Sequence, residues 1–226
     1  MRALRVGLRD RLDRPVPRAA RLLLGLVLFA LGLAVLVRAD LGLDPWTVLS
    51  DGLRRVTGLT LGQLTLVTSF VLLLLWFPLR ERPGAGTLAN AVVVGPVLDL
   101  GLLVLPPVEP LALRGGMLVG AVLLVAAGTG LYVGAGWGPG PRDGIMTGLA
   151  RRGVPLPLAR AGIELTVLAV GWSLGGSVGL GTVVFALSIG PLVGLALPRL
   201  ALDPPPGAAP GRPPGRRRRW RRLPSG

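Results

Sequence analysis

Cysteine, histidine and lysine are all missing from the 226 residues, and the first two absences each remove a class of chemistry. Without cysteine there is no disulfide, no thiolate ligand and no thiol nucleophile. Without histidine the commonest general base and metal ligand is gone. Typical zinc sites are therefore excluded, no metal or other cofactor is expected, and the chain reads as a non-enzyme. All 25 basic residues are arginine, which reads as a compositional habit, because exposed tails seldom need the guanidinium group specifically. Charge of either sign is scarce, at 16% of the chain, and it is confined largely to the two ends and the loops.

Hydrocarbon is what the chain has in quantity. Hydrophobic residues make up 51% of it and the mean hydropathy is +0.65, above what a fully solvated globular domain carries. Six apolar segments stand out, at Leu22 to Val37, Leu61 to Leu79, Thr87 to Leu105, Gly116 to Val133, Leu156 to Leu174 and Leu180 to Leu197. Each is close to the ~20 residues that span a bilayer as a helix. The first resembles the apolar core of a signal peptide, but Arg38 stands where a small-residue cleavage site belongs, so it reads as a retained membrane helix. Thr60 with Gln63 forms a capping-box pattern, Pro155 and Pro157 suit a helix start, and Pro106, Pro107 and Pro198 suit helix ends.

The chain also repeats itself. Gly86, Thr87, Ala91, Gly95 and Pro96 recur as Gly181, Thr182, Ala186, Gly190 and Pro191, and Gly32, Ala39, Gly42 and Pro45 recur as Gly128, Ala135, Gly138 and Pro141. Three crossings per half is an odd number, so the second copy enters the membrane from the opposite side. The expected fold is an all-α integral membrane protein of about six transmembrane helices in two inverted three-helix repeats. Its expected parts are a basic N-terminal segment at 1–21, repeats at 22–105 and 116–198 joined by a connector at 106–115, and a disordered polybasic tail at 199–226.

Arginine bias orients this arrangement. With the N-terminus inside, the inner segments hold the arginines before Leu22 together with Arg80, Arg82, Arg142, Arg151, Arg152, Arg160 and the tail, whereas the outer loops hold only Arg38, Arg54, Arg55 and Arg114. Both termini are expected in the cytoplasm of a bacterial cell. The tail, rich in proline and glycine and ending in an arginine cluster around Trp220, has a composition suited to anionic lipid rather than to specific nucleic-acid recognition.

Between the first two crossings of each half lies a longer connector. Asp44-Pro45-Trp46 reads as an N-cap followed by proline at the first helical position, which predicts a short amphipathic helix to about Val56. Its counterpart is expected from Pro141 to Arg152. The stretches Gly42 to Trp46, Gly136 to Gly144 and Ile163 to Thr166 resemble bacterial membrane proteins of the YczE type, related to the YitT group. The likeness covers about Leu22 to Pro198. It implies the membrane architecture and supplies neither a substrate nor catalytic residues.

Chemistry in the membrane rests on few groups. Asp99 lies about 18 Å along a helix counted from Thr87 at ~1.5 Å per residue; it either faces a cavity and binds a proton or cation, or is neutral or reaches the outer interface. Glu164 has Arg160 one turn before it, and is either half of an interfacial pair or a buried gate contacting the Arg142-Asp143 loop. Pro96 and Pro191 hold equivalent places and are candidate helix breaks. Gly116 with Gly120, and Gly130 with Gly134 and Gly138, permit close helix approach. Three functions stay open: transport of a small solute coupled to a proton or cation, an accessory role positioning a membrane partner protein, and an intramembrane enzyme, which the missing histidine and cysteine weigh against.

Overall fold

The structure is a computed structural model that describes residues 15–202; the polybasic tail from 203 onward and its expected disorder lie outside the described residues. Among the described residues eight helices follow one another: α1 (Pro15–Ala39), α2 (Pro45–Thr57), α3 (Leu61–Leu79), α4 (Ala85–Val104), α5 (Leu111–Gly134), α6 (Pro141–Ala150), α7 (Leu156–Ser173) and α8 (Leu180–Leu200). The described residues form no strand. The protein is an all-α membrane protein.

Five helices, α1, α3, α4, α5 and α8, are long and apolar enough to cross a membrane. The sixth expected segment forms α7, which is shorter and carries Arg160 and Glu164 on its first half. Those two charges keep it out of the apolar set.

Local chemistry explains the helix starts. Thr60 and Gln63 close a reciprocal capping box on α3, with the Gln63 backbone N–H donating to the Thr60 hydroxyl at 3.1 Å and the Thr60 N–H to the Gln63 side chain at 3.0 Å. Asp44 caps α2 by accepting from the Thr47 N–H, Pro45 takes the first turn, and Gly58 ends the helix in the left-handed conformation.

Long, short, long, long is the helix order of each half, and equivalent residues make equivalent contacts. Arg114 Nε donates to the carbonyl of Ala39 at 2.8 Å, and its counterpart Arg18 donates to the carbonyl of Ala135 at 3.0 Å. Gly181 N–H reaches the Leu41 carbonyl at 2.7 Å, while Gly86 N–H reaches the Trp137 carbonyl at 2.9 Å. Gly42 and Gly138 both have φ of +116°, and a Cβ on either would meet the hydroxyl of Thr182 or Thr87 at 2.8 Å. Glycine is required at both by conformation and by space.

Helices α1 and α5 form the centre of the core. Gly25 abuts Gly128 and Tyr132, and Gly32 abuts Ala121 and Val125, so the two helices run antiparallel with their backbones nearly touching. Leu26, Phe29, Leu33, Val122 and Val125 fill the buried cluster around them.

Several expectations are corrected by this packing. Helix α1 begins at Pro15 rather than Leu22, because Arg18 is buried and spans to the end of α5. Helix α5 begins at Leu111 rather than Gly116, with Arg114 in its first turn bound to the end of α1. Gly130 and Gly134 do abut α8 and the residue after it, whereas a Cβ on Gly116 or Gly120 would meet nothing within 4 Å. Pro96 and Pro191 do not divide their helices, which run on past them; the chain is interrupted instead just before α2 and α6.

Asp51, in the second half of α2 and outside the five apolar helices, ties α2 to the loop before α8. Burial works to raise its carboxyl, but donors outweigh it: the Ser177 hydroxyl at 2.8 Å, the Ser177 N–H at 3.0 Å and Arg54 at 2.8 Å hold the group below its ordinary value of 3.8. A carboxyl depressed in the folded state adds stability that is present above the unfolded pKa and lost as pH falls through the folded one. Asp51→Asn is therefore expected to cost about 1–2 kcal/mol at neutral pH. Thermal melts of the two proteins should converge only as the pH drops below about 3.8.

Candidate functional site

The two short helices meet at their N-termini. The start of α2 lies beside the middle of α7, where Trp46 shares a groove with Gly162 and Ile163, and its later turns reach the end of α7, where Gly52 abuts Gly171. Helix α6 starts at the Pro141 carbonyl, which accepts from Trp76 Nε1 at 2.8 Å, and runs to the end of α3, where Gly148 abuts Leu79. Each short helix presents its N-terminus, the partial positive end, to the junction. Across the junction Arg142 Nη1 lies 3.6 Å from Asp44 Oδ2.

A cavity of about 230 Å³ opens at this junction. Asp44, Arg142, Asp143, Arg160 and Glu164 line its polar part, and Phe29, Trp46, Tyr132 and Phe185 are among its aromatic walls. The Arg142 guanidinium lies 5.4 Å from the centre of the Phe29 ring and 5.5 Å from that of Trp46. Tyr132 donates to Asp143 at 3.0 Å, and Arg160 Nε donates to Glu164 at 2.9 Å.

Two buried polar atoms at this junction have no hydrogen-bond partner: Asp44 Oδ1 and Trp46 Nε1. Asp44 is 1% exposed and Trp46 8%. Buried polar atoms left unpaired are costly, and here an acceptor and a donor stand two residues apart, both enclosed in the packing at the start of α2.

Asp99 sits elsewhere. Its carboxylate accepts from the Gly62 N–H at 2.8 Å and from the Thr60 hydroxyl, capping α3 from the side of α4. A separate cavity of about 710 Å³ adjoins it, lined also by Arg38, Asp51, Arg54 and Ser177. At this crossing Gly62 and Gly95 bring the α3 and α4 backbones together, since a Cβ on Gly95 would lie 2.4 Å from the Gly62 carbonyl. In the other half, Gly190 and Gly194 take the places of Gly95 and Asp99, and a Cβ on either would meet nothing within 4 Å. The α3–α4 approach is closed, and the equivalent face of α8 is open.

The family described as a family of unknown function, DUF6198, matches residues 16–198. The chain belongs to it. An uncharacterized protein of Haemophilus influenzae is 39% identical over 173 residues, covering 76% of this chain and 79% of that protein. The uncharacterized membrane protein YczE of Bacillus subtilis is 32% identical over 182 residues, covering 77% of this chain and 83% of that one. The YczE resemblance read from the sequence therefore stands. No solved structure matches.

In this DUF6198 chain, three of the residues singled out in the sequence, Arg142, Asp143 and Glu164, come together in the central cavity, while Asp99 does not and Pro96 and Pro191 lie on exposed helix faces. Missed in the sequence were the aromatic wall, Phe29, Trp46, Tyr132 and Phe185, and the place of Asp44 beside it. Asp44 was legible only as a helix cap, because the Arg142 it faces is remote in sequence. Tyr132 carried a faint signal as the single tyrosine of the chain, placed on a membrane helix where a hydroxyl needs a partner.

Proposed function

We propose that this protein is a small-solute transporter whose two halves, related as inverted repeats, rock about the central cavity and couple movement to a proton or cation. The observation that carries the reading is the junction of the two short helices, where charged side chains line a solute-sized space. Half-helix ends at a midplane site are a recurring solution for holding a polar solute away from lipid. The antiparallel α1–α5 pair and the matched hydrogen bonds between halves support the inverted relation. The closed α3–α4 approach against the open α8 face supports alternating access, since two similar packings can then exchange roles.

Orientation follows the arginine bias, with both termini in the cytoplasm. A cytoplasmic reporter attached after Gly226 is expected to work and an external one to fail; the reverse result overturns the orientation. Transport itself is tested by purifying the full chain into proteoliposomes and profiling uptake across metabolite classes with and without a proton or sodium gradient. Saturable, gradient-dependent flux supports the reading.

An accessory role has one specific observation in its favour. Gly116, Gly120, Gly190 and Gly194 leave small-residue faces with open space beside them, the kind of surface another membrane helix packs on. Absence of flux together with stoichiometric co-purification of one membrane partner selects that reading.

A further inference from the structure

Arg142 lines a second cavity as well, which the transport reading leaves unused. It measures about 20 Å³ and lies where α2, α3, α4 and α6 meet, room for one water-sized body and no more. Thr47 and Ser50 of α2, Thr68 of α3, Asn90 of α4 and Arg142 of α6 line this space. Among the described residues none of these five side chains finds a hydrogen-bond partner; Arg142 Nη1 is 3.6 Å from Asp44 Oδ2, beyond hydrogen-bond reach. Thr47, Ser50 and Asn90 are only 5%, 4% and 7% exposed, and polar groups so enclosed are costly without partners. Their polar atoms are not sealed in the packing as Asp44 Oδ1 and Trp46 Nε1 are, so an occupant of the cavity can reach them.

Charge selects that occupant. No carboxylate lines the space: Asp44, which offsets part of the Arg142 charge, and Asp143, the next residue of α6, line the central cavity instead. A guanidinium does line it, and the N-terminus of α6, which no side chain caps, adds a partial positive charge. The α2 N-terminus adds less, because Asp44 already caps it. Thr65 and Ser69, also on the wall, commit their hydroxyl hydrogens to the carbonyls of Leu61 and Thr65. The free donors are therefore the hydroxyls of Thr47, Ser50 and Thr68, the Asn90 amide and the Arg142 N–H groups. A cation there would face a guanidinium with no carboxylate in reach, whereas an anion meets donors from four helices.

We infer that this small cavity binds a single monatomic anion, chloride being the one a cell supplies in quantity. The ion accepts from Arg142, Asn90 and the three hydroxyls and so ties α6 of the second half to α2, α3 and α4 of the first. The site does not depend on transport, since each donor is unpartnered whether or not a solute crosses.

The experiment follows thermal unfolding of the full chain in lipid nanodiscs while chloride replaces gluconate at constant ionic strength. The melting temperature is expected to rise by about 3–5 °C for each tenfold increase in chloride above its dissociation constant. Bromide should act as chloride does, sulfate, too large for the space, should not, and exchanging sodium for choline at fixed chloride should change nothing. Asn90→Leu and Ser50→Ala are each expected to weaken the ion about tenfold, and Arg142→Gln to abolish its effect; if Arg142→Gln does not fold, the other two carry the test. Ser173→Ala, at the exposed end of α7, should respond as the parent does. A melting temperature indifferent to the anion, the result expected of a cavity filled by water, overturns the assignment. So does an equal response to chloride and sulfate, a response that follows sodium, or an undiminished response in both Asn90→Leu and Ser50→Ala. Because no arm reads flux, chloride binding can stand where transport fails, and the reverse.

Discussion

Gly128→Leu is expected to abolish the folded protein, whereas Gly120→Leu, two turns earlier on the same helix, is expected to leave it intact. A Cβ at position 128 would lie 2.5 Å from the Phe29 nitrogen and 2.7 Å from the Gly25 carbonyl. These are backbone atoms of α1, so no side-chain rotation can make room; the two helices must separate along their whole contact. An overpacked core site ordinarily costs about 1–3 kcal/mol because neighbours can shift, and here the penalty exceeds that range. It also falls on the pair that anchors both halves of the protein. At position 120 an added Cβ meets nothing within 4 Å, so the same side chain gains only lipid contact. The yield of monodisperse protein in mild detergent, followed by thermal unfolding, checks both. Equal yields for the two variants would show that α1 and α5 are not in backbone contact.

That pair of glycines also marks how far the sequence could be read. Spacing at four residues places Gly116 and Gly120, or Gly130 and Gly134, on one face of a helix, and says nothing of which face has a neighbour. Only tertiary packing separates the crowded pair from the open one. Caps were legible because they are local: Thr60 with Gln63, and Asp44 with Pro45, act on backbone within one turn. The recurring glycines, threonines and prolines were legible because they stand at a nearly constant shift along the sequence. Arg18 and Arg21 were read as lying outside the membrane helix, because charge near a terminus normally marks solvent. Yet Arg18 is only 4% exposed and Arg21 donates to the Leu200 carbonyl, partners far along the chain that no local pattern announces. The central cavity shows the same division. Glu164 and the Arg142-Asp143 pair could be singled out as rare charges in a greasy sequence, but the wall formed by Phe29, Trp46 and Tyr132 exists only once α1, α2 and α5 are packed.

Asp99 and Glu164, alike on paper as intramembrane acids, are expected to separate in function when each is neutralised. Glu164 lines the central cavity and is bound to Arg160 at 2.9 Å, so its charge is felt where a solute and a coupling ion would sit. Glu164→Gln keeps the shape and cannot gain or lose a proton. It is expected to insert normally and to lose gradient-driven accumulation by at least about tenfold, because the carried charge no longer differs between the two faces. Asp99 instead fastens α4 to the first turn of α3 through the Gly62 N–H and the Thr60 hydroxyl. Asp99→Ala removes hydrogen bonds to a charged group, about 1.5–3 kcal/mol of closure, which shifts the balance between closed and open α3–α4 packings by about ten- to a hundredfold. The chain has no cysteine, so a single thiol reports this without background. Leu98→Cys, at a position 0% exposed beside Asp99, is expected to react faster with an impermeant reagent added from outside when Asp99→Ala is also present. Ion dependence of the remaining flux should persist in Asp99→Ala, since the carboxylate in the central cavity is untouched. Faster labelling with intact coupling assigns Asp99 to closing the outer approach; unchanged labelling with coupling lost would exchange the roles of the two acids.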